Sequence, residues 1–518
     1  MNRRQFLENS GALVSGLVIA RHVARAAGGH PFTLGVASGE PSSDGFVIWT
    51  RLTLAPLAPD GLGGMAEPVA VVWEVATDDT MRSIVRSGTV EADSRLAHSV
   101  HAEVGGLAPA RPYWYRFTAL GQQSPIGRAR TAPAPNARPD RMRFAFACCS
   151  HYELGYFSAY RHMAAEDPDL ILFLGDYIYE STVPAAHADR TVRRHDGPTA
   201  TDLVSYRNRY ALYRTDPDLQ VLHASAPCLV TWDDHEVEND YANEWSQDMR
   251  VSSEEFLRRR AAAYQAYYEH MPLRARAMPQ GYALRLYDRY RFGDLATFSV
   301  LDGRQYRSKQ PCEVSPSRRG HVAPDACVER IDPQRSLLGY DQERWLVDGF
   351  QRNETAWDVL AQGQLVAQLR QKAETGEVGY WTDGWDGYPA SRQRVFDALT
   401  SSRLRNPVFI GGDIHSFWVT DLKTDFNNPS SATVATELVT TSITSEPPPY
   451  ELFQQQLPEN PHVRYFESRH RGYVAVDLNR DRMETRFQVI SERRDPAATV
   501  STLRRFVVES GKAGAVPV

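Results

Sequence analysis

The stretch RFAFACCSHYELGYFSAYRHMAAEDPDLILFLGDYIYE, residues 143–180, reads as strand, helix, strand. RFAFACC and LILFLG are short, almost wholly apolar runs, the signature of strands covered on both faces, and YFSAYRHMAAEDP between them carries a helical pattern. Two strands joined through a crossover helix run parallel, so the region builds a largely parallel sheet with helices packed on it. Four further runs repeat the theme: CLVTWDDHE (228–236), ATFSVLDGRQY (296–306), AWDVLAQGQ (356–364) and NPVFIGGDIHSFW (406–418). Each ends in polar residues. Open α/β sheets gather ligands at the carboxyl ends of their strands, so those polar ends are where chemistry is expected. A long helical region is expected over residues 203–222, antiparallel strands over 463–490, and a closing helix over 499–510.

Upstream the pattern changes. FTLGVASG, GFVIWTRL, AVVWEVATD, SGTVEAD, HSVHAEVGGL, PYWYRFTAL and PIGRART are short alternating runs split by Gly, Pro and Asp. That spacing describes a β-sandwich of the immunoglobulin or fibronectin kind over residues 31–135. TAPAPNARPD (131–140) reads as a linker, and a second domain runs from 141 to 518.

The 518 residues are 42% hydrophobic and 24% charged, which excludes disordered and fibrous chains, and the net charge of −6 leaves no basic nucleic-acid footprint. The first residues, MNRRQFLENSGALVSGLVIARHVARA, pair Arg3-Arg4 with a short apolar run and end in a small-residue site. They read as a twin-arginine export signal over residues 1–26, with a frayed amphipathic N-terminus as the alternative. Its apolar stretch is too short for a permanent membrane span. The expected destination is the periplasm or the exterior, with the twin-arginine export machinery as a partner; the mature chain is expected to be a monomer.

Five cysteines are an odd number for an exported chain. Cys312 and Cys327 close a Pro- and Ser-rich loop and are expected to form a disulfide, Cys228 reads as a buried thiol, and neighbouring Cys148 and Cys149 are expected on opposite faces of their strand.

Four strand ends present metal-ligand types: Cys149 and His151; Asp176 and Tyr179; Asp233, Asp234, His235 and Glu236; Asp413 and His415. A single Asp after Gly is ordinarily a turn residue. Four such ends after apolar strands point instead to a cation site. Carboxylates, a thiolate, a phenolate and an imidazole suit hard or borderline cations, and two neighbouring cations need a shared carboxylate, for which Asp176 is the natural bridge. A tyrosine ligand such as Tyr179, whose phenol ordinarily titrates near pH 10, points to ferric iron, because a trivalent ion lowers that pKa strongly.

GDYIYE, TWDDHE and GGDIHS, with FACCS and GVASGEPSSDGFVIWTR before them, resemble the alkaline phosphatase D (PhoD-like) family of metallophosphoesterases over nearly the whole mature chain. The resemblance implies a calcineurin-like α/β sandwich behind the N-terminal β-sandwich. It implies a ferric ion (Fe3+) held by Cys149, Asp176, Tyr179 and His415, with Asp176 bridging to calcium (Ca2+) and Asp234 and Asp413 on the calcium side. His235 stands where the wider superfamily has a histidine that contacts phosphate and protonates the leaving oxygen. Oxygen-rich coordination favours calcium at the second position, with Mg2+ or Mn2+ as alternatives. His151, Glu236, Glu238, Asn239 and Asp240 stay open as further ligands. The implied activity is hydrolysis of phosphomonoesters and phosphodiesters by hydroxide attack in line at phosphorus. The alternatives are a phosphodiesterase or phospholipase D-like enzyme acting on lipid headgroups or wall polymers, and a non-catalytic binding protein of the wall or periplasm.

GYWTDGWDGYPASRQR (379–394) groups Trp381, Trp385 and Tyr388 around Asp383 and Asp386, either as a rim over the metal pocket or as an anchored loop. Arg258-Arg259-Arg260 read as a solvated helix face.

Overall fold

The structure is a computed structural model, and it describes residues 29–313, 320–352, 354–372, 376–402 and 404–518. The expected export signal over 1–26 lies outside the described residues. The protein is built on two large mixed sheets packed face to face, with helices on their outer sides. In the ten-stranded sheet, Arg141–Ala147, Leu170–Leu174 and Cys228–Thr231 lie side by side and parallel. In the seven-stranded sheet, Ala296–Val300, Trp357–Ala361, Pro407–Gly411 and Thr433–Val439 form the parallel core.

The alternation along each strand explains the layering. Phe144, Phe146, Leu170, Leu172 and Leu229 meet Phe298, Val359, Val408 and Ile410 of the facing sheet. Ala145, Ile171, Phe173 and Val230 turn the other way, toward Tyr160, Met163, Tyr210 and Tyr264 on the covering helices. Such strands are apolar on both faces, which is why LILFL is buried throughout.

Residues 31–135 contribute to two sheets. Val36–Ser42, Gly45–Arg51 and Ser99–Val104 extend the ten-stranded sheet, and a five-stranded sheet carrying Val69–Ala76 and Pro112–Ala119 stacks over them through Phe46, Ile48, Val71, Tyr115 and Phe117. The join is the parallel pairing of Gly39 with Cys228. A side chain at Gly39 would sit 2.4 Å from the Pro272 carbonyl oxygen and 3.0 Å from that of Cys228, so only glycine lets the two backbones approach this closely. The stretch 131–140 has no regular element but is tied down, with Asp294 N donating to Ala137 O at 2.9 Å.

Several expectations are corrected. Residues 500–509 form a strand, Val500–Glu509, paired antiparallel with Arg482–Ile490. Its β-branched valines and threonine and the inward pair Phe506 and Val508, two apart, suit a pleated surface and not a helix. The helical region 203–222 is two helices, Leu203–Arg214 and Pro217–Ser225. Pro217 cannot continue the first and starts the second, capped by the Asp216 carboxylate. Cys148 and Cys149 do not point to opposite faces: the strand ends at Ala147, Cys149 takes φ 59°, and the two sulfurs lie 3.0 Å apart. Of the arginine run only Arg258 faces solvent; Arg259 pairs with Glu238 at 2.6 Å, and buried Arg260 donates to Asn243 and Tyr282 carbonyl oxygens. Cys312 and Cys327 are bridged, with Cα atoms 6.1 Å apart, and Cys228 is a buried thiol. Among the described residues, no helix is long and apolar enough to cross a membrane.

Candidate metal centre

The strand ends converge. Ligand atoms of Cys149, Asp176 and His415 lie within 4.8 Å of one another, and so do those of Asp176, Asp234 and His235, of Asp233, Asp234 and Asp413, and of Asp234, Asp240 and Asp383. Asp176 therefore belongs to two neighbouring groups and Asp234 to three. Tyr179 joins the first group: its phenolic oxygen is 3.1 Å from Asp176 Oδ2 and 3.1 Å from His415 Nε2.

Local backbone geometry aims these side chains. Cys149, Asp176, Asp240, Asp413 and His415 all have positive φ, between 51° and 65°. Non-glycine residues in that region cost about 1–3 kcal/mol each and cluster at functional sites. Gly175, with φ 93°, brings the GDYIYE turn against TWDDHE; a Cβ there would lie 2.6 Å from Asp233 N and Cβ. Glu236 sutures the same two turns: its carboxylate accepts the N–H groups of Tyr177 at 2.7 Å, Asp233 at 2.9 Å and Asp176 at 3.2 Å. Tyr213 Oη accepts the N–H of Tyr179 at 3.0 Å and of Tyr152 at 3.1 Å, and lies 3.1 Å from His195 Nε2.

The imidazoles are oriented by partners. His415 Nδ1 is 2.7 Å from the Glu446 carbonyl oxygen, which makes it the N–H donor and leaves the Nε2 lone pair facing Asp176 and Tyr179. Burial, reinforced by Arg471, pushes its pKa down to about 3, so it is a neutral donor. His235 Nδ1 lies 2.7 Å from Glu180 Oε2. Burial works against its charge, but Glu180, Asp234 and Asp176 outweigh that and hold His235 well above its ordinary pKa.

The carboxylates are crowded. Burial, and then the charge of Asp234, hold Asp176 far above the usual carboxylate range; burial and Asp233 do the same for Asp413, and burial and Asp383 for Asp240. Burial, then Cys148, raise the Cys149 thiol, and burial, then Asp176, raise the Tyr179 phenol. The balancing groups are Arg304, which grips Asp233 through Nε at 2.7 Å and Asp383 through Nη1 at 2.7 Å, and Arg307, 3.1 Å from Asp383. Two guanidiniums and one imidazolium cannot balance Asp176, Asp233, Asp234, Asp240, Asp383 and Asp413 once all six are ionised, which, added to burial, is why Asp176, Asp240 and Asp413 hold their protons so strongly. Cations between these oxygens would balance them, and a donor set of thiol, phenol, imidazole and carboxylates fits such ions.

The structure thus brings together Cys149, Asp176, Tyr179, Asp234, His235, Asp413 and His415. His151 stands apart, grouped with Glu153 and His195, its ring 4.5 Å from that of Tyr179. Glu236 is consumed by backbone N–H groups, Glu238 pairs with Arg259, and Asn239 Nδ2 donates to Gln247, while Asp240 is in the cluster. Sequence reasoning passed over Arg304, although it follows directly on the strand run ATFSVLD, and Ser445, whose Oγ is 2.6 Å from the Tyr179 oxygen and 3.0 Å from Cys149 O. It placed Asp383 on an aromatic rim, where the structure puts it in the carboxylate cluster. In that rim Tyr388 is an anchor, fully buried and donating to Ser308 O at 2.6 Å.

A buried carboxylate cluster at the ends of parallel strands, joined by thiol, phenol and imidazole, defines a candidate metal centre in a mixed α/β architecture. The chain matches the PhoD-like phosphatase family over residues 144–487 and that family's N-terminal domain over 18–133, and it belongs to this family. It is accordingly a phosphoric ester hydrolase. It is 42% identical to alkaline phosphatase D of Bacillus subtilis (strain 168), over 99% of this chain and 88% of the relative. A solved structure of PhoD superposes with a TM-score of 0.88 at 44% identity, covering 94% of this chain and 92% of that one.

Proposed function

We propose that the chain is an exported alkaline phosphatase that hydrolyses phosphomonoesters and phosphodiesters at a centre of ferric iron and calcium. The carrying observation is that Asp176 is shared between the group with Cys149 and His415, which Tyr179 joins, and the group with Asp234 and His235, and that Asp234 in turn belongs to two all-carboxylate groups. Cys149, Asp176, Tyr179 and His415 would hold the iron; Asp176, Asp234 and Asp413, with Asp240 and Asp383 beside them, would hold the calcium. When bound, the cations supply Lewis acidity that activates water and neutralises the phosphoryl oxygens.

The remaining work falls to the chain. Glu180 fixes the His235 ring through Nδ1 and keeps it protonated, so Nε2 is the nitrogen left to bind phosphate and to give its proton to the leaving oxygen. Glu446 and Ser445 hold His415 and Tyr179 in place. Residues 31–135 are read as an immunoglobulin- or fibronectin-like sandwich and 141–518 as a calcineurin-like catalytic domain. The Arg3-Arg4 leader supports export.

The test is elemental analysis with a visible spectrum, alongside turnover of p-nitrophenyl phosphate and bis-p-nitrophenyl phosphate with and without calcium and a chelator. Iron and calcium at stoichiometric levels with chelator-sensitive turnover are expected. A colourless, iron-free and fully active enzyme would overturn the iron assignment.

A further inference from the structure

We propose that the cavity beside the metal-ligand cluster receives an uncharged, apolar substituent of the phosphate ester, so that the enzyme selects esters of alkyl or aryl groups over esters whose organic part is charged. This inference rests on the phosphatase reading above. The cavity encloses about 410 Å³, a size suited to a small organic group, and Asp413 and His415 form part of its lining. A guest lying in it therefore touches the cluster at which phosphate would be held.

Its walls come from separate pieces of the chain: Leu365 and Leu369 beyond the strand Trp357–Ala361, Trp381 and Trp385 of the aromatic loop, Ile414 between the two cluster residues, and Phe453 on the helix Tyr450–Gln456. Leu369 and Trp385 are buried, and the other four are half-buried with apolar surface toward the cavity. An apolar surface left open to water beside a charged centre gains free energy when an apolar guest covers it.

The walls are held in place. Val366 N and Ala367 N donate to the Glu437 carboxylate at 2.5 and 3.0 Å, and Leu369 N donates to Asp386 at 2.8 Å. Trp385 Nε1 donates to Gln362 Oε1 at 3.3 Å, and the Phe453 ring packs 5.8 Å from that of Phe466 and 6.1 Å from that of Trp418. A preformed cleft spends little binding free energy on ordering itself.

Charge sets the selection. Among the described residues, no lysine or arginine lines the cavity. Apart from Asp413 and His415, its ionisable groups are Asp386, paired with Arg392 at 2.8 Å, and Glu446, paired with Arg493 at 2.6 Å. A carboxylate or second phosphate on the organic part of the ester would meet carboxylates and no free cation, and would lose its hydration without compensation.

Methyl, butyl and hexyl phosphate have matched alkoxide leaving groups, so phosphate release from the metal-loaded enzyme isolates chain length. Expected is a rise in kcat/KM of about threefold per methylene, with 6-phosphohexanoate falling back toward the methyl ester. Phe453→Ala should cut the hexyl-to-methyl ratio by about fivefold, the ratio cancelling any loss common to both esters. Leu365→Gln, on another wall, serves as a second variant should Phe453→Ala fail to fold. Hexyl- and methylphosphonate, which are not hydrolysed, are titrated in parallel by tryptophan fluorescence. Turnover with a flat chain-length profile and equal phosphonate affinities would overturn the cavity assignment and leave the phosphatase reading standing. Tighter binding of hexylphosphonate without turnover of any ester would do the reverse.

Discussion

Asp176→Asn tests whether the cluster is a set of like charges awaiting cations. The substitution keeps shape and removes one charge. The Asp176 carboxylate lies within 4.8 Å of a ligand atom of Asp234. Two carboxylates about 5 Å apart repel by about 3 kcal/mol at an effective dielectric constant of about 20. Its hydrogen bond from the Tyr179 hydroxyl, at 3.1 Å, can be kept by the amide oxygen. Because burial and Asp234 raise the Asp176 pKa, this repulsion is felt only as the pH rises far enough to ionise it; there, with metals stripped by a chelator, Asp176→Asn should be more stable than the unsubstituted protein. At about 2.1 cal/mol/K of unfolding entropy per residue, the gain raises Tm by about 3 °C if the chain melts as one unit. With metals supplied the sign reverses, because the shared ligand is gone. Turnover should fall by more than about 100-fold, a floor set by what loss of an outer-shell partner alone costs, and the Tm difference between loaded and chelated protein should shrink. Scanning fluorimetry with and without chelator, metal analysis and p-nitrophenyl phosphate turnover read all three. Chelated Asp176→Asn melting below chelated wild type at that pH would refute the like-charge argument, and activity within tenfold of wild type would refute the shared-ligand argument.

Tyr179→Phe removes the oxygen 3.1 Å from both Asp176 Oδ2 and His415 Nε2, and should abolish any visible charge-transfer band of the iron-loaded protein while leaving far-ultraviolet circular dichroism unchanged. Glu236→Ala leaves the N–H groups of Asp176, Tyr177 and Asp233 without their acceptor; at about 1–3 kcal/mol for each buried orphan, Tm should drop markedly and metal content with it, whereas loss of metal without loss of stability would make Glu236 a ligand. Tyr213→Phe should show a smaller form of the same effect through Tyr152 and Tyr179, read as reduced iron retention on dialysis. Cys312→Ser with Cys327→Ser opens a loop of sequence separation 15 and should lower stability by about 3 kcal/mol in denaturant titration, with turnover retained.

What was legible in the sequence followed from burial. The runs RFAFA, LILFL, CLVT and PVFIG are apolar because they lie between two layers, and the polar residues that end them mark where each strand leaves the core. On that basis the strand ends offered Cys149, His151, Asp176, Tyr179, Asp233, Asp234, His235, Glu236, Asp413 and His415, and the resemblance to the PhoD-like family narrowed them to seven. Arg304 and Asp383 escaped because their role is pairwise: each looks like an ordinary loop charge until the fold sets them 2.7 Å apart. The strand Val500–Glu509 was hidden because VSTLRRFVVE mixes charges with its inward Phe506 and Val508, and its structure is decided by the neighbour Arg482–Ile490. Strand propensity is set by such context more than by the segment itself.

The cluster is costly to the fold that carries it. Cys149, Asp176, Asp240, Asp413 and His415 each hold positive φ, and the carboxylates around them repel. Contacts within the chain offset this only in part: Arg304 and Arg307 bind Asp233 and Asp383, Arg304 lies 3.7 Å from Asp234, and among the described residues Asp176, Asp240 and Asp413 have no guanidinium of their own in the ion pairs of the cluster. Any ligand that binds only the native arrangement shifts the equilibrium toward it, so cations would repay at this point what strain and repulsion withdraw. The ligands come from turns as distant in sequence as Cys149 and His415, so an unfolded chain presents no such site. Loading therefore accompanies or follows folding, an order that the proposed twin-arginine export, in which a chain crosses already folded, would satisfy.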